Sequence, residues 1–148
     1  MEDPDVNLPT PLVPAEIDLR DFEFMPLYVR RLRDSRFVAI KTPEEALAGI
    51  LLWSSSWHQI PASSLPDDDI ELSTLAGYGG VRGLELFRRV KDGALHNFIK
   101  CSDGRLYHPV VAAAAMDAWR GKIQQAHRKD RDRWRKVHRN AWFPDVDT

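Results

Sequence analysis

Cysteine is nearly absent from this chain: Cys101 is the single one among 148 residues. No intrachain disulfide can form, so the fold must rest on its core, as suits a reducing cytoplasm. Long apolar runs are missing too. The longest, from Val110 to Met116, is far too short to span a bilayer. The first residues hold no basic stretch followed by an apolar one, so no secretory signal is expected. His58, His96, Cys101 and His108 include no C-x-x-C or H-x-x-x-H pair, which argues against a zinc site. Cys101 and His108 lack a nameable third group to orient them as a nucleophile and base. Asp67, Asp68 and Asp69 are consecutive and point different ways, so they suit a helix start better than a metal. Gly77-x-Gly79-Gly80 has neither the lysine nor the preceding strand of a phosphate loop. The expectation is a binding protein rather than an enzyme, with no metal or cofactor.

What is present points to one soluble domain. Apolar residues make up 43%, enough for a single core, and charged residues 29%. The net charge of −1 hides a strong asymmetry. Seven acids face Arg20 alone between Met1 and Phe24, while eight Lys/Arg face Asp130 and Asp132 between Gly121 and Asn140. Such ends imply a basic contact surface, or a tail that folds onto the other end.

Four segments follow from composition and period. Residues 1–20 carry Pro4, Pro9, Pro11 and Pro14 among acids, and read as an extended or flexible leader. Residues 21–111 form the folded domain. Within it Thr42-Pro43-Glu44-Glu45 marks a helix start, and Leu47, Ile50, Leu51, Trp53 and Trp57 recur as its inner face. A short helix after Asp67–Asp69 stops at Gly77-Tyr78-Gly79-Gly80, where glycine supplies positive φ. The next helix should turn Val81, Leu84, Phe87 and Val90 inward. The period then changes to two, and Ser102-Asp103-Gly104-Arg105 predicts a tight hairpin turn. Residues 112–142 read as a basic amphipathic helix, interrupted only by Gly121, and 143–148 as a tail. Helix, turn, helix and hairpin in this order predict an α+β winged helix-turn-helix, with three core helices, a β-hairpin wing and a long basic C-terminal helix.

The segments FMPLYVRRLRDS, LLWSSSWHQIPASSLPDDD, LAGYGG and KCSDGRLYHPVV also resemble a known family. They are similar to the YdaU-like domain of unknown function, found in prophage and phage proteins of DNA replication. The resemblance covers roughly residues 15–125. It implies a replication-associated winged helix, known from gene context rather than chemistry. This chain departs from longer relatives by ending after one basic helix, which bears on any helicase-loading role.

Three surfaces are candidates for DNA. Arg82, Arg88, Arg89 and Lys91 lie on the outer side of the second helix of the pair, the one that enters a major groove. Glu85 sits among them and favours the plainer alternative of a solvated face. Lys100 and Arg105 flank the hairpin turn and can serve a wing in the minor groove, or equally protect a strand edge. Arg128, Lys129, Arg131 and Arg135 on the last helix offer phosphate contacts. On another side of that helix, Trp119, Ile123 and Trp134 form a stripe that packs on the domain or on a second copy. Trp53 and Trp57, four residues apart, suit a core; the alternative is stacking on single-stranded bases. The preferred partner is DNA, and the rival function is an adaptor that docks a replicative helicase, a loader or a host defence factor. A cytoplasmic location is expected.

Overall fold

Thr42 opens the first long helix as its neighbours require. Its Oγ1 accepts from the Glu45 amide at 3.2 Å, and Glu45 Oε1 accepts from the Thr42 amide at 2.9 Å. Pro43 fills the first helical position, where no amide is needed. In the computed structural model, which describes residues 7–138, this helix is α3 (Pro43–Trp57), after the short α1 (Val29–Arg33) and α2 (Arg36–Ile40). Then come β1 (Ser64–Leu65), α4 (Asp69–Leu75), α5 (Gly80–Ala94), β2 (Ile99–Lys100), β3 (Leu106–Tyr107) and α6 (Pro109–Val137). The fold is mixed α+β, with one small antiparallel sheet in the order β1-β3-β2.

The central strand β3 divides the interior in two, because successive residues of a strand point to opposite faces. Leu106, opposite Leu65, belongs to a core with Leu52, Leu72 and Phe87 of α3, α4 and α5. Tyr107, opposite Ser64 and Ile99, belongs to a second core with Trp57 and with Val111 and Ala115 of α6.

The second core corrects the expectation of a loose leader. Residues 8–22 have no regular secondary structure, as their prolines require. Val13 and Leu19 are nonetheless 0% exposed, and Ile17 is buried with them. The prolines deny this segment a helix, yet its aliphatic side chains still find cover. Only residues 1–6 of the leader lie outside the described region.

Two inner faces also differ from expectation, both because glycine permits close approach. On α3 the buried residues are Ala48, Gly49, Leu52, Ser56 and Trp57, while Leu47 and Leu51 are exposed. A Cβ on Gly49 would come within 3.1 Å of the Ala94 carbonyl oxygen and 2.8 Å of the Phe37 ring, so α3 turns small residues towards α5. On α5 the buried residues are Gly83, Phe87, Gly93 and Ala94, while Val81 is 86% exposed. The turn between α4 and α5 has positive φ at Gly77 (90°) and Gly80 (82°), as its glycines suggest.

Helix α6 passes Gly121 without a break and reaches Val137. Its expected end near Trp142 and the tail 143–148 lie outside the described residues. Its buried residues, Val111, Ala112, Ala114 and Ala115, all fall near its start. Beyond Trp119 the helix continues for roughly 27 Å at 1.5 Å per residue, mostly exposed, with His127, Arg131 and Trp134 half-buried. No helix among the described residues is long and apolar enough to cross a membrane.

The two kinds of glycine can be separated by mutation. A Cβ on Gly83 would meet the Tyr78 carbonyl carbon at 2.7 Å and its oxygen at 2.8 Å, whereas Gly121 has nothing within 4 Å. Urea unfolding should show Gly83→Ala destabilised by about 1–3 kcal/mol and Gly121→Ala stabilised by about 0.5–1 kcal/mol. Equal midpoints for the two variants would contradict the close approach of the Tyr78 turn to α5.

Candidate nucleic-acid interface

Asp68, one of the three consecutive acids before Ile70, caps α4: its Oδ2 accepts from the Glu71 amide at 3.0 Å. That leaves Asp69 free for a second task. Its carboxylate meets Lys91 Nζ at 2.6 Å and Arg88 Nε at 3.1 Å, both on α5. Lys91 first, and then Arg88, hold the Asp69 carboxyl below its usual pKa. Asp67 similarly pairs with Lys100 Nζ at 3.4 Å. Three expected phosphate contacts, Arg88, Lys91 and Lys100, thus already have carboxylate partners. Arg82 and Arg89 remain exposed without an ion pair among the described residues, and Glu85 lies on the same exposed side between them.

The hairpin departs further from a projecting wing. Its turn forms as Asp-Gly predicts, with Gly104 at φ 78° and its amide donating to the Cys101 carbonyl at 2.9 Å. The strands, however, are only two residues each, and the tip is bonded into the body. The Ser102 amide donates to the Pro9 carbonyl at 2.8 Å, and the Tyr107 hydroxyl donates to Asp103 Oδ2 at 2.6 Å. Burial first, and then Asp103, raise the Tyr107 pKa. Arg105 points back rather than outwards. Its Nε donates to Ser64 Oγ at 2.8 Å and its Nη2 to Gln59 Oε1 at 3.0 Å. This corrects the expected role of Arg105: it fastens the hairpin to the segment after α3. Arg105→Ala should lower stability by about 1–3 kcal/mol in thermal or urea unfolding, the usual cost of losing charged hydrogen bonds of this kind.

Among the described residues, one ion pair joins the acidic N-terminal region to the basic helix. Lys122 Nζ contacts Asp21 Oδ2 at 2.9 Å and lies over the rings of Phe22 and Trp119, at 5.6 Å and 5.4 Å. Trp119, the first member of the expected stripe, therefore packs within the chain. Ile123 is 47% exposed, and Trp134 stacks on His138 at 4.6 Å. Further along α6, Arg128, Lys129, Arg135 and Lys136 are exposed and make no ion pair among the described residues. Arg133 pairs with Asp130 at 3.7 Å, and Arg131 is engaged by neighbours.

One basic cluster escaped the reading of the sequence. Arg30, Arg31 and Arg33 on α1 and Arg36 at the start of α2 are all exposed, and α1 buries no residue at all. Arg33 has an exposed pairing with Asp34 at 3.5 Å, and Arg31 lies 5.5 Å from the centre of the Tyr28 ring. The signal was four arginines within seven positions of VRRLRDSR, masked by the aromatic and proline residues before them.

Behind this arm lies a pocket of about 170 Å³, walled by Phe37, Trp53, Val111 and Ala114, with Tyr28 and Arg31 at the arm side. His108 also lines it, edge-on to Trp53 at 5.3 Å and to Phe98 at 5.2 Å. Among the described residues, no group of three or more His, Cys, Asp or Glu is placed to hold a metal ion. Comparison with protein-family models, curated proteins and solved structures finds no match. The resemblance to YdaU-like domains therefore rests on the quoted motifs alone.

His108 gives this region a measurable pH dependence. Its Nδ1 accepts from the Val110 amide at 3.2 Å and so caps α6. Burial first, and then His96, push its pKa down from 6.5 to about 4. The unfolded chain thus takes up a proton near 6.5 that the folded chain accepts only near 4. Stability present above the upper value is lost as pH falls through that window, by about 3 kcal/mol at most. His108→Asn keeps a capping acceptor without the titration. Its unfolding free energy should vary less between those two pH values than that of the parent; an unchanged slope would exclude His108 as the cause.

Proposed function

We propose that this chain is a winged-helix protein that binds duplex DNA, in phage or prophage replication or its regulation, with no chemistry of its own. The succession α3-β1-α4-α5-β2-β3 and the sheet order β1-β3-β2 are compatible with a winged helix. The replication context comes from the YdaU-like resemblance, and a cytoplasmic site of action accompanies it. One observation carries the DNA reading. Arg128, Lys129, Arg135 and Lys136 lie on the part of α6 beyond both cores, exposed and without ion pairs among the described residues. Unpaired cations on a projecting helix can replace condensed counterions on a DNA backbone, which gives affinity without sequence information. Arg82 and Arg89 are the remaining candidates for groove contacts on α5.

The adaptor reading keeps specific support. Asp69 pairs with both Arg88 and Lys91 and offsets part of their charge, and the hairpin tip is bonded to the leader, so two of three expected DNA surfaces are weakened. Ile70 on α4 and Val81 and Leu86 on α5 are exposed apolar side chains on the same helix pair. A replicative helicase, a loader or a host defence factor is the partner this reading proposes. A second copy of the chain docking on Ile123 and Trp134 is compatible with either.

Electrophoretic retardation of a duplex across salt concentrations tests the preferred reading. Replacing Arg128, Lys129, Arg135 and Lys136 with alanine should flatten the slope of log affinity against log salt by about 3–4, close to 0.9 per lost phosphate contact. Arg88→Ala with Lys91→Ala should change it little. No retardation of the parent at low salt would sink the DNA reading and leave the adaptor.

A further inference from the structure

The pocket behind α1 combines two features that nothing in the α6 reading uses. Its wall is aromatic and deep. Phe37 and Trp53 lie 5.2 Å apart, His108 stands edge-on to Trp53 at 5.3 Å, and the indole N–H of Trp53 has no acceptor among the described residues. Its entrance is cationic. Arg31 lies against Tyr28, itself 52% exposed, and Arg30, Arg33 and Arg36 extend the positive charge along the arm beyond the opening. Over residues 30–41 there are five Lys/Arg against Asp34 alone.

We propose that this pocket takes one unpaired base of a single-stranded nucleic acid, while Arg30, Arg31, Arg33 and Arg36 hold the phosphates on either side of it. A base is flat and has a π-face, so it can lie against the Trp53 and Tyr28 rings that line the pocket, with Phe37 packed against Trp53. Its edge carries donors and acceptors, and Asn97 and His108 bring both types to the pocket. Neutral His108, with Nδ1 accepting from the Val110 amide, keeps its proton on Nε2 as a donor. A small aromatic acid would satisfy the wall and one arginine, but it would leave the other arginines without a role. A chain of phosphates uses them all. Duplex DNA cannot reach the pocket, because its bases are stacked inside the helix. The inference thus rests on residues other than those of the α6 reading, and each can fail alone.

The test compares the full chain on three probes: a thymidine 12-mer, the same sugar–phosphate backbone without bases, and a blunt duplex. Fluorescence anisotropy should show the 12-mer bound at low salt and the abasic strand bound about 10- to 100-fold more weakly, the range set by stacking one base. The 12-mer should quench tryptophan emission in the parent protein, and that component should vanish in Trp53→Leu. Because Trp53 is partly buried, Tyr28→Ala at the exposed entrance serves as a second variant, with thermal unfolding as its control for folding. Both should lose most of the preference for the 12-mer over the abasic strand. Alanine at Arg30, Arg31 and Arg33 together should weaken both strands alike. The α6 variant should lose the duplex and keep the base preference. Equal binding of the 12-mer and the abasic strand, or an undiminished preference in Tyr28→Ala and Trp53→Leu, overturns the proposal.

Discussion

Val13, Ile17 and Leu19 are buried only because the hairpin, the end of α3 and the first turns of α6 close over them. Each such aliphatic side chain contributes about 1.5–3 kcal/mol when removed from water, a large share of the margin by which domains are stable. Much of the surface chemistry follows from this packing. It brings Pro9 to the tip of the hairpin, so the Ser102 amide is used internally and the hairpin cannot reach out as a free wing. It fixes the start of α6, where the buried residues of that helix lie. It also sets where the leader emerges, and the arm from Phe24 to Lys41 then crosses in front of Trp53 and encloses the pocket.

The near-zero net charge conceals a division of labour among cations. Between Asp67 and Lys100 there are six acids and five Lys/Arg, and the structure pairs Arg88, Lys91 and Lys100 of these with Asp69 and Asp67. Such partly exposed pairs contribute little to stability, but they remove charge from the surface a DNA backbone would meet. Cations without carboxylate partners among the described residues remain at Arg82 and Arg89 of α5, on the outer half of α6 and on the arm. Local potential, rather than total charge, is what steers an anionic partner.

The local features of the fold were legible, each for a reason confined to a few residues. The Thr42–Glu45 cap, the glycine turn before α5 and the Asp103-Gly104 turn all depend on neighbours within three or four positions. The candidate interface was legible only by residue type. Arg82, Arg89, Arg128, Lys129 and Arg135 are exposed, as basic residues on helices usually are. That Arg88, Lys91, Lys100 and Arg105 have internal partners was not legible, because those partners lie 19 to 46 positions away.

The sequence alone determined where α3 and α4 begin and where the turns at Gly77–Gly80 and Asp103-Gly104 fall, since caps, prolines and glycines act through backbone groups beside them. It also determined that the ends of the chain carry opposite charge. Only the tertiary structure decided which face of α3 is inward, because that depends on how closely Gly49 lets the distant Ala94 carbonyl and Phe37 ring approach. It likewise decided that a proline-rich leader belongs to the core and that Arg88, Lys91, Lys100 and Arg105 are paired within the fold. Burial and ion pairing are properties of neighbours in space, and a linear pattern carries those only where the chain meets itself nearby.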